Sequence, residues 1–301
     1  MRRRMVMAGL AASGAVVGGF ALWPRPLPAT PALPAPTAPM PAYHLGHSLV
    51  GRDMPAMLAQ MAGHSYASQL GWGASLMQHA TGDIPGFDVE NAHPAHQPAT
   101  ESLASGRYAA VILTEMVELR EALRWHDSAR YLAHWAQAAQ QANPTARVYL
   151  YETWHRLDDP DGWLLRIDSD LKTLWTDQLL IPAMRRSQIP IYLIPAGQIL
   201  AAATRAIESG QIPGLTNRTD LFARTDGTPD PIHLNDTGHY LVALTHFATL
   251  YHRSPQGLPH DLRRADGTAM TPLAQSAALA LQQLVWQTVP RYAATGLARS
   301  V

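Results

Sequence analysis

A serine, a histidine and an aspartate in this 301-residue chain stand in an order that suits nucleophilic chemistry. Ser48 lies in YHLGHSLVG (residues 43–51), where a short apolar run ends in a glycine. A serine hydroxyl becomes a nucleophile when a base takes its proton and a third group orients that base. In DGTPDPIHLNDTGHY (residues 226–240), Asp230 precedes His233 by three residues, and Pro231 stiffens the link. The carboxylate can then fix the imidazole tautomer, so we predict catalytic roles for Ser48, His233 and Asp230.

The rest of the sequence predicts a scaffold that can bring these distant residues together. Short apolar runs at residues 42–46, 109–113, 147–151 and 191–194 alternate with longer helical patterns. Such alternation is typical of a parallel sheet covered by helices. We expect an α/β fold, a three-layer α/β/α sandwich with a central parallel sheet of the flavodoxin-like kind. The predicted helices cover residues 54–62, 116–125, 128–142, 163–180, 199–208, 239–251 and about 272–289.

Polar and aromatic side chains follow the predicted strands at their carboxyl ends, the edge of a parallel sheet that usually carries the functional residues. In open parallel sheets, functional residues lie on loops beyond the carboxyl ends of the strands. Most of the tryptophans fall inside helical patterns, whereas two of them fall on loops of this edge. We predict substrate-binding roles for His47, Trp72, Glu115, Glu152 and Trp154.

The two chemical motifs together resemble a known superfamily. The pairing of G-H-S-L at residues 46–49 with D-P-I-H-L-N at residues 230–235 resembles the SGNH, or GDSL-type, hydrolases, over residues 43 to about 251. That resemblance implies a three-layer esterase in which Ser48 is the nucleophile, His233 the general base and Asp230 its orienting partner. It also implies an oxyanion hole formed by the backbone amides of Ser48 and of Gly73 in LGWGASL, with no metal or organic cofactor.

Two positions depart from the pattern of this superfamily. His47 stands where the family has an aspartate before the serine, and LTEM at residues 113–116 stands where an asparagine donates to the oxyanion. Glu115 in its ionised form cannot donate a hydrogen bond. Loss of one oxyanion donor, typically worth about 3 kcal/mol, would slow an esterase without abolishing its activity.

A third segment points to the substrate class. LYETWH (residues 150–155) is similar to a branch of SGNH-like bacterial proteins, which implies that Trp154 is an apolar platform for a sugar ring. The expected function is an exported serine esterase that removes an O-acyl group, acetyl above all, from a carbohydrate or related substrate, a small-molecule or glycan ester. Two alternatives stay open: a non-catalytic carbohydrate-binding or scaffold protein with a decayed oxyanion hole, and a polysaccharide O-acyltransferase that excludes water.

The nucleophile also has a structural interpretation, because serine after glycine often caps a helix. We expect Ser48 to do both, presenting its hydroxyl and beginning the next helix. An α/β-hydrolase is excluded, since the serine lacks a G-x-S-x-G elbow and follows the first strand.

Two other site types are compatible with some of these residues. His44, His47 and His64 suggest zinc, but strand spacing separates the first two and no H-E-x-x-H pattern appears, so no metal is predicted. Glu115 and Glu152 could instead form the carboxylate pair of a glycosidase.

The amino-acid composition argues against several classes of binding partner and of catalytic chemistry. Lysine plus arginine equals aspartate plus glutamate, at 23 each, so no net field gathers nucleic acid or anionic lipid. Cysteine is absent, which removes disulfides, thiolate metal sites and cysteine nucleophiles.

The N-terminus predicts export. Three arginines precede an uncharged stretch at residues 5–23, and RRRMV approximates a twin-arginine pattern. Residues 1–23 are interpreted as a signal peptide or a membrane anchor, so a tether through residues 5–23 is possible. A Pro/Ala-rich linker (24–41), a hydrolase domain (42–255) and a C-terminal extension with one packed helix (256–301) follow. The body would be periplasmic or secreted.

Overall fold

Five parallel strands form the centre of the protein in a computed structural model that describes residues 26–298. They lie in the order β2-β1-β3-β4-β5, so the first strand is inside the sheet and the chain builds outward from it. The predicted α/β fold with a central parallel sheet is confirmed. The strands are β1 Ala42–His47, β2 Tyr66–Gly71, β3 Ala110–Leu113, β4 Arg147–Glu152 and β5 Ile191–Pro195.

The edge strand β2 was not among the predicted strands. Its sequence, YASQLG, carries polar Ser68 and Gln69 in the middle, yet both are buried. Gln69 is buried because its amide is paired: Oε1 accepts from the N–H of Ala99 at 2.8 Å, and Nε2 lies 3.0 Å from Nδ1 of His79. Burial of a polar group costs little when it is hydrogen-bonded, so an apolar pattern alone could not mark this strand.

Helices cover both faces of the sheet. α1, α9, α10 and α11 pack on one face, whereas α6 and α8 pack on the other. Side chains of β4 alternate between the two cores, with Tyr149 and Tyr151 on the first face and Val148 and Leu150 on the second, as a two-residue repeat requires. The helices are α1 Asp53–Ala62, α2 Leu76–Thr81, α3 Phe87–Glu90, α4 Ala99–Ala104, α5 Leu119–Trp125, α6 Ser128–Ala142, α7 Trp163–Asp170, α8 Ile181–Ser187, α9 Ala196–Glu208, α10 Asp236–Tyr251 and α11 Gln275–Thr288.

The helix predicted for residues 163–180 continues beyond its predicted end. α7, a π-helical segment at Leu171–Leu180 and α8 follow one another without a break. Pro182 lies inside this stretch, at the start of α8, although proline lacks the N–H that a helix interior uses. The stretch ends at Gln188, whose left-handed backbone (φ 60°) lets its amide donate to Met184.

The Pro/Ala-rich segment lies along the domain from residue 26 onward. It contains no helix or strand, and Leu33 donates from its amide to the carbonyl of Gly296 at 2.8 Å. Three of its carbonyls accept hydrogen bonds from side chains that precede or begin strands β4 and β5: Pro26 from Gln188, Pro31 from Tyr192 and Pro34 from Arg147. The segment therefore follows the amino-terminal edge of the sheet.

The predicted targeting segment, residues 1–23, lies outside the described residues. Among residues 26–298, none of the helices has the length and apolar character needed to cross a bilayer. The C-terminal part of the chain packs on the same unit, since α11 lies against α10 and α9.

Candidate active site

Ser48 lies in a tight turn directly after β1. The amides of Val50 and Gly51 both donate to the carbonyl of His47, at 2.9 and 3.4 Å, and close the turn. Gly51 has a φ of 61°, the left-handed conformation that glycine adopts at little cost. α1 begins only at Asp53, so the expectation that Ser48 begins this helix is wrong.

Asp230 and His233 lie on the second strand of a small antiparallel hairpin, β6 Phe222–Thr225 and β7 Thr228–Leu234. Phe222 pairs with Leu234 but Arg224 pairs with Pro229, so residues 230–233 face a single residue of β6. Such a bulge re-aims side chains that a regular strand would send to opposite faces. It allows two residues three positions apart to meet.

The structure joins Ser48, His233 and Asp230 in one chain of hydrogen bonds. His233 Nε2 lies 3.0 Å from Ser48 Oγ, and His233 Nδ1 lies 3.1 Å from Asp230 Oδ2. A carboxylate only accepts, so Nδ1 carries the proton and the lone pair of Nε2 faces the serine hydroxyl. His233 can therefore accept the serine proton.

Local backbone contacts keep Asp230 ionised. Its Oδ1 accepts from the amides of Ile232 at 2.8 Å and His233 at 2.7 Å. Burial raises the pKa of Asp230, but these amides and the His233 ring outweigh burial and lower it overall. The negative charge needed to stabilise an imidazolium is thus present at neutral pH.

A buried tryptophan supports the segment between the two polar residues. Trp154 Nε1 donates to the carbonyl of Ile232 at 2.8 Å, and the amide of Leu157 donates to that of Pro231 at 2.7 Å. The prediction that Trp154 is a sugar platform is wrong, because its side chain is 1% exposed and faces the core. Its role is to support β7 from behind.

An ion-pair network stabilises the loop that carries Trp154. Arg166, whose side chain is almost wholly buried, contacts the carboxylates of Glu118, Asp159 and Asp170. Nε2 of His155 lies 3.2 Å from the same carboxylate of Asp170. A buried arginine with several carboxylate partners resists movement, since loss of any partner leaves charge uncompensated.

The start of α10 fixes the other end of the hairpin. Asn235 caps the helix by accepting from the amide of Gly238 at 3.0 Å, and its Nδ2 donates to the carbonyl of Asp220 at 2.8 Å. Position 238 has to be glycine, because a Cβ there would overlap the carbonyl of Leu221. Asp236 holds Arg264 through two hydrogen bonds, at 2.9 and 2.6 Å.

The two amides predicted to form an oxyanion hole, those of Ser48 and Gly73, follow neighbouring strands of the sheet. Gly73 follows β2, whose last residue Gly71 pairs with His47, so Gly73 and Ser48 lie at neighbouring strand ends. Within residues 26–298, neither the amide of Ser48 nor that of Gly73 donates to another protein group. The oxyanion role of these two amides therefore stays a prediction, and such a role requires N–H groups without a protein acceptor.

His47 does not bind substrate, contrary to the prediction. It is fully buried, its Nε2 lies 2.8 Å from the carbonyl of Glu115, and its Nδ1 accepts from the amide of Leu49 at 3.3 Å. Nε2 therefore donates, and the ring is neutral. Burial, assisted by the charge of His233, lowers its pKa to about 4.

The predicted binding residue Glu115 is also buried. Its Oε1 accepts from the amides of Leu76 at 3.2 Å and Met116 at 2.9 Å. Burial raises the pKa of Glu115 to about 7, although these two amides oppose the shift. Glu115 holds the start of α2 in place and does not act as an oxyanion donor.

Glu152, the last predicted carboxylate, lies inside the domain at the start of α9. It accepts from the amide of Gln198 at 3.2 Å and from its side chain at 3.1 Å, and burial raises its pKa to about 8. Neither Glu115 nor Glu152 lines the cleft at Ser48. A glycosidase pair made of these two carboxylates therefore has no support.

The three histidines whose types suggest a zinc site do not converge. His44 is buried beside His246, and Nδ1 of His64 lies 2.7 Å from the hydroxyl of Tyr251. No group of three or more histidine, aspartate or glutamate side chains in residues 26–298 is arranged to hold a metal ion.

A cleft of about 570 Å³ opens beside Ser48, and most of its lining was not predicted. Trp72 is half-exposed at its rim and donates from Nε1 to Glu90, which lines the cleft. The lining comes from the start of α1, from the segment around α3 and from the C-terminal part of the chain: Arg52, Asp53, Glu90, Ala92, His93, Pro94, Arg264, Ala265 and Asp266, with Ser48 and His233.

Replacement of Glu115 tests its assigned role. We expect Glu115→Gln to retain kcat within about threefold, because an amide oxygen still accepts from Leu76 and Met116. Glu115→Ala should lower the free energy of unfolding by about 1–3 kcal/mol per unpaired amide and leave kcat of the folded fraction unchanged. Steady-state kinetics and urea unfolding measure the two effects. A fall in kcat of about a hundredfold in the folded alanine variant would instead make Glu115 an oxyanion donor.

Buried titratable groups predict a stability maximum near pH 6.5. Burial lowers the pKa of His47, His79 and His246 to about 4, so the unfolded chain binds more protons between about pH 4 and 6.5. The free energy of unfolding should rise with pH in this window, by up to about 1.4 kcal/mol per pH unit for each histidine. Glu115 and Glu152 stay protonated in the folded chain in the same window, and each of them cancels the effect of one histidine. Above that window the folded chain retains protons on Glu115 and Glu152, so stability should fall.

Urea midpoints measured from about pH 5 to about pH 8.5 test this profile. In Glu152→Gln the fall above pH 6.5 should be smaller, because the amide does not titrate. A midpoint that keeps rising above pH 7 would contradict the assignment.

Three solved structures resemble the fold of this chain at low sequence identity. No protein-family model matches this sequence, and no curated protein matches it either. A GDSL-like lipase from Parabacteroides merdae is 11% identical, with a TM-score of 0.43 over 71% of this chain and 96% of that chain. Protein YxiM from Bacillus subtilis is 15% identical, with a TM-score of 0.44 over 70% of this chain and 55% of that chain.

The lipase Lip_vut3 from the goat rumen metagenome is 11% identical, with a TM-score of 0.35 over 70% of this chain and 98% of that chain. One of these names, GDSL-like, is that of the superfamily that the two sequence motifs resemble. At such identities and TM-scores, the chemistry of this chain has to be read from its own side chains.

Proposed function

We propose that this chain is an SGNH-type serine esterase that removes a short acyl group, acetyl above all, from a carbohydrate or a related polyol. One observation carries the proposal: Ser48 Oγ lies 3.0 Å from His233 Nε2, while Asp230 holds the opposite ring nitrogen. A serine, a base and an orienting carboxylate in this order meet the requirement for nucleophilic catalysis.

Each of these residues has a step in the proposed reaction. Ser48 Oγ attacks the ester carbonyl while its proton passes to His233 Nε2, and Asp230 stabilises the imidazolium that results. The amides of Ser48 and Gly73 donate to the negatively charged carbonyl oxygen. His233 then returns the proton to the departing alcohol. In the second half of the reaction His233 takes a proton from water, which attacks the acyl carbonyl. The proton passes to Ser48 Oγ as the acid leaves.

The lining of the cleft favours a polar substrate with a small acyl group. Arginine, aspartate, glutamate and histidine side chains make up most of the lining, and the apolar members are Ala92, Pro94 and Ala265. A long acyl chain would desolvate the charged groups without pairing them, which is costly. Hydroxyl-rich substrates can instead hydrogen-bond to the same groups.

Hydrolysis fits the site better than the two alternatives. The side chain of His233 is nearly half-exposed, so water reaches the base that has to activate it. A transferase would have to exclude that water. A scaffold protein has no use for a base held at hydrogen-bonding distance from a serine. We further propose that residues 1–23 direct the protein to the periplasm or the exterior.

Covalent labelling tests the nucleophile. Incubation with a fluorophosphonate probe should modify one residue, Ser48, as located by peptide mass spectrometry, and Ser48→Ala should not be labelled. A partially O-acetylated oligosaccharide should release acetate in the presence of the protein. Absence of labelling under conditions where the protein is folded would favour the scaffold.

The same assay with an added acceptor glycan distinguishes hydrolysis of the ester from transfer of its acyl group. Addition of an unacetylated glycan should leave the yield of free acetate unchanged if water is the acceptor. Acetate that appears on the added glycan in preference to the solution would make the protein a transferase.

A further inference from the structure

Trp72 is exposed yet held in one orientation. Its side chain is 54% exposed, its Nε1 donates to Glu90 Oε1 at 2.8 Å, and its amide donates to the carbonyl of Pro85 at 2.7 Å. Beneath it lies Gly86, where a Cβ would overlap three atoms of the indole. One face of the ring therefore rests on backbone, and the other faces solvent.

The second strongly exposed tryptophan is likewise bonded through Nε1, to Glu121, but differs in the face that it leaves open. Trp125 is 62% exposed, but the guanidinium of Arg124 covers its ring at 4.6 Å from the centroid. That cation–π contact uses the face that a ligand would need. Within residues 26–298, no guanidinium or ammonium is recorded over the ring of Trp72.

Trp72 is connected to the cleft through two neighbours. Glu90, which accepts from the indole, lines the cleft beside Ser48. Arg52 lines it as well, and its guanidinium donates to the carbonyls of Val89 and Glu90. The Nε1 edge of the indole thus adjoins Glu90, and Arg52 is bonded to the backbone of the same segment.

We infer that the open face of Trp72 binds a sugar ring next to the ring that carries the ester at Ser48. This inference rests on the proposed function and narrows it: the substrate is an oligosaccharide or polysaccharide ester. An aromatic face packs against the C–H face of a sugar ring, and Glu90 and Arg52 can bond its hydroxyls. An acyl chain on the same surface would leave those charges desolvated and unpaired.

The kinetic test compares two substrates in each variant. The quantity measured is kcat/KM for partially O-acetylated xylotetraose divided by kcat/KM for para-nitrophenyl acetate. Trp72→Ala should lower this ratio about tenfold, the loss of one aromatic stacking contact, and Trp72→Phe should restore part of it. Trp125→Ala, the matched control, should leave the ratio unchanged. A ratio within about twofold of wild type in Trp72→Ala would overturn the inference.

Gly86→Ala provides a second variant that retains the tryptophan. The added Cβ should displace the indole and lower the ratio in the same direction as Trp72→Ala. Circular dichroism verifies that the variant folds, because Gly86 has a left-handed backbone (φ 65°) that alanine strains.

A binding measurement separates this inference from the catalytic proposal. Calorimetric titration of Ser48→Ala with unacetylated xylotetraose, cellotetraose and mannotetraose should give binding to at least one, and Trp72→Ala in that background should weaken it about tenfold. Binding that does not depend on Trp72 would overturn the platform even if Ser48 proves catalytic. Binding that depends on Trp72 without labelling of Ser48 would overturn the esterase alone.

Discussion

Replacement of Ser48 by alanine should lower kcat for ester hydrolysis by about a millionfold, to the level of the uncatalysed reaction assisted by binding alone. The hydroxyl oxygen forms the bond to the acyl group, and alanine has no atom that can replace it. The only recorded partner of Ser48 Oγ in the described chain is His233, so the thermal midpoint should change little. Initial rates with para-nitrophenyl acetate and a thermal unfolding curve measure the two quantities.

The matched control is Ser105→Ala. Ser105 is exposed at the end of α4, just before β3 and so at the opposite edge of the sheet from Ser48. Its loss should leave kcat unchanged. Residual activity of Ser48→Ala at about one tenth of wild type, with the fold intact, would mean that another group attacks the ester.

Replacement of Asp230 by asparagine should lower kcat by about ten-thousandfold. Asparagine can retain the acceptor for the amides of Ile232 and His233, but it then presents an N–H group to His233 Nδ1. The ring would move its proton to Nε2, where a donor faces Ser48 instead of a lone pair. KM should change far less than kcat, because the cleft lining is preserved.

Asp266→Asn is the control for the negative charge that Asp230→Asn removes from the site. Asp266 lines the same cleft, and its carboxylate accepts from the amide and hydroxyl of Thr268, contacts that asparagine can keep. Its kcat should stay within about threefold of wild type. Equal losses in the two variants would indicate that the site needs negative charge in general and not an oriented imidazole.

The four predicted strands, β1, β3, β4 and β5, could be found in the sequence because both of their faces are buried, even in β5 at the second edge of the sheet. Continuous apolar runs such as AVIL in β3 require no knowledge of the neighbours. The edge strand β2 could not be predicted, since its polar side chains pair with an amide from residue 99 and a ring from residue 79. Three short helices, α2 to α4, have too few residues to show a periodic pattern.

The pairing of Asp230 with His233 was predictable from their spacing, and their meeting with Ser48 from the resemblance of the two motifs to the SGNH hydrolases. The side chains next to Ser48 were not. At the end of a strand, one residue points into the core and the next points out, and sequence does not tell which. His47, Glu115, Glu152 and Trp154 all point inward and were all interpreted as binding residues.

The cleft lining escaped prediction because it is assembled from three separate parts of the chain. Arg264 reaches it through its two bonds to Asp236, and Ala265 donates from its amide to Asp53. These contacts join residues more than 25 positions apart. The charged turn RRADGT at residues 263–268 was visible in sequence, but nothing local relates it to Ser48.

Residues 26–41 run along the amino-terminal edge of the sheet, and this course determines the orientation of the cleft in a protein attached to a surface through its N-terminus. Ser48, Gly73 and the cleft occupy the opposite edge. A lipid, bead or fusion partner joined ahead of Pro26 would therefore sit on the far side of the sheet from the cleft. An immobilised copy would turn its reactive side outward, toward polymers too large to diffuse underneath it.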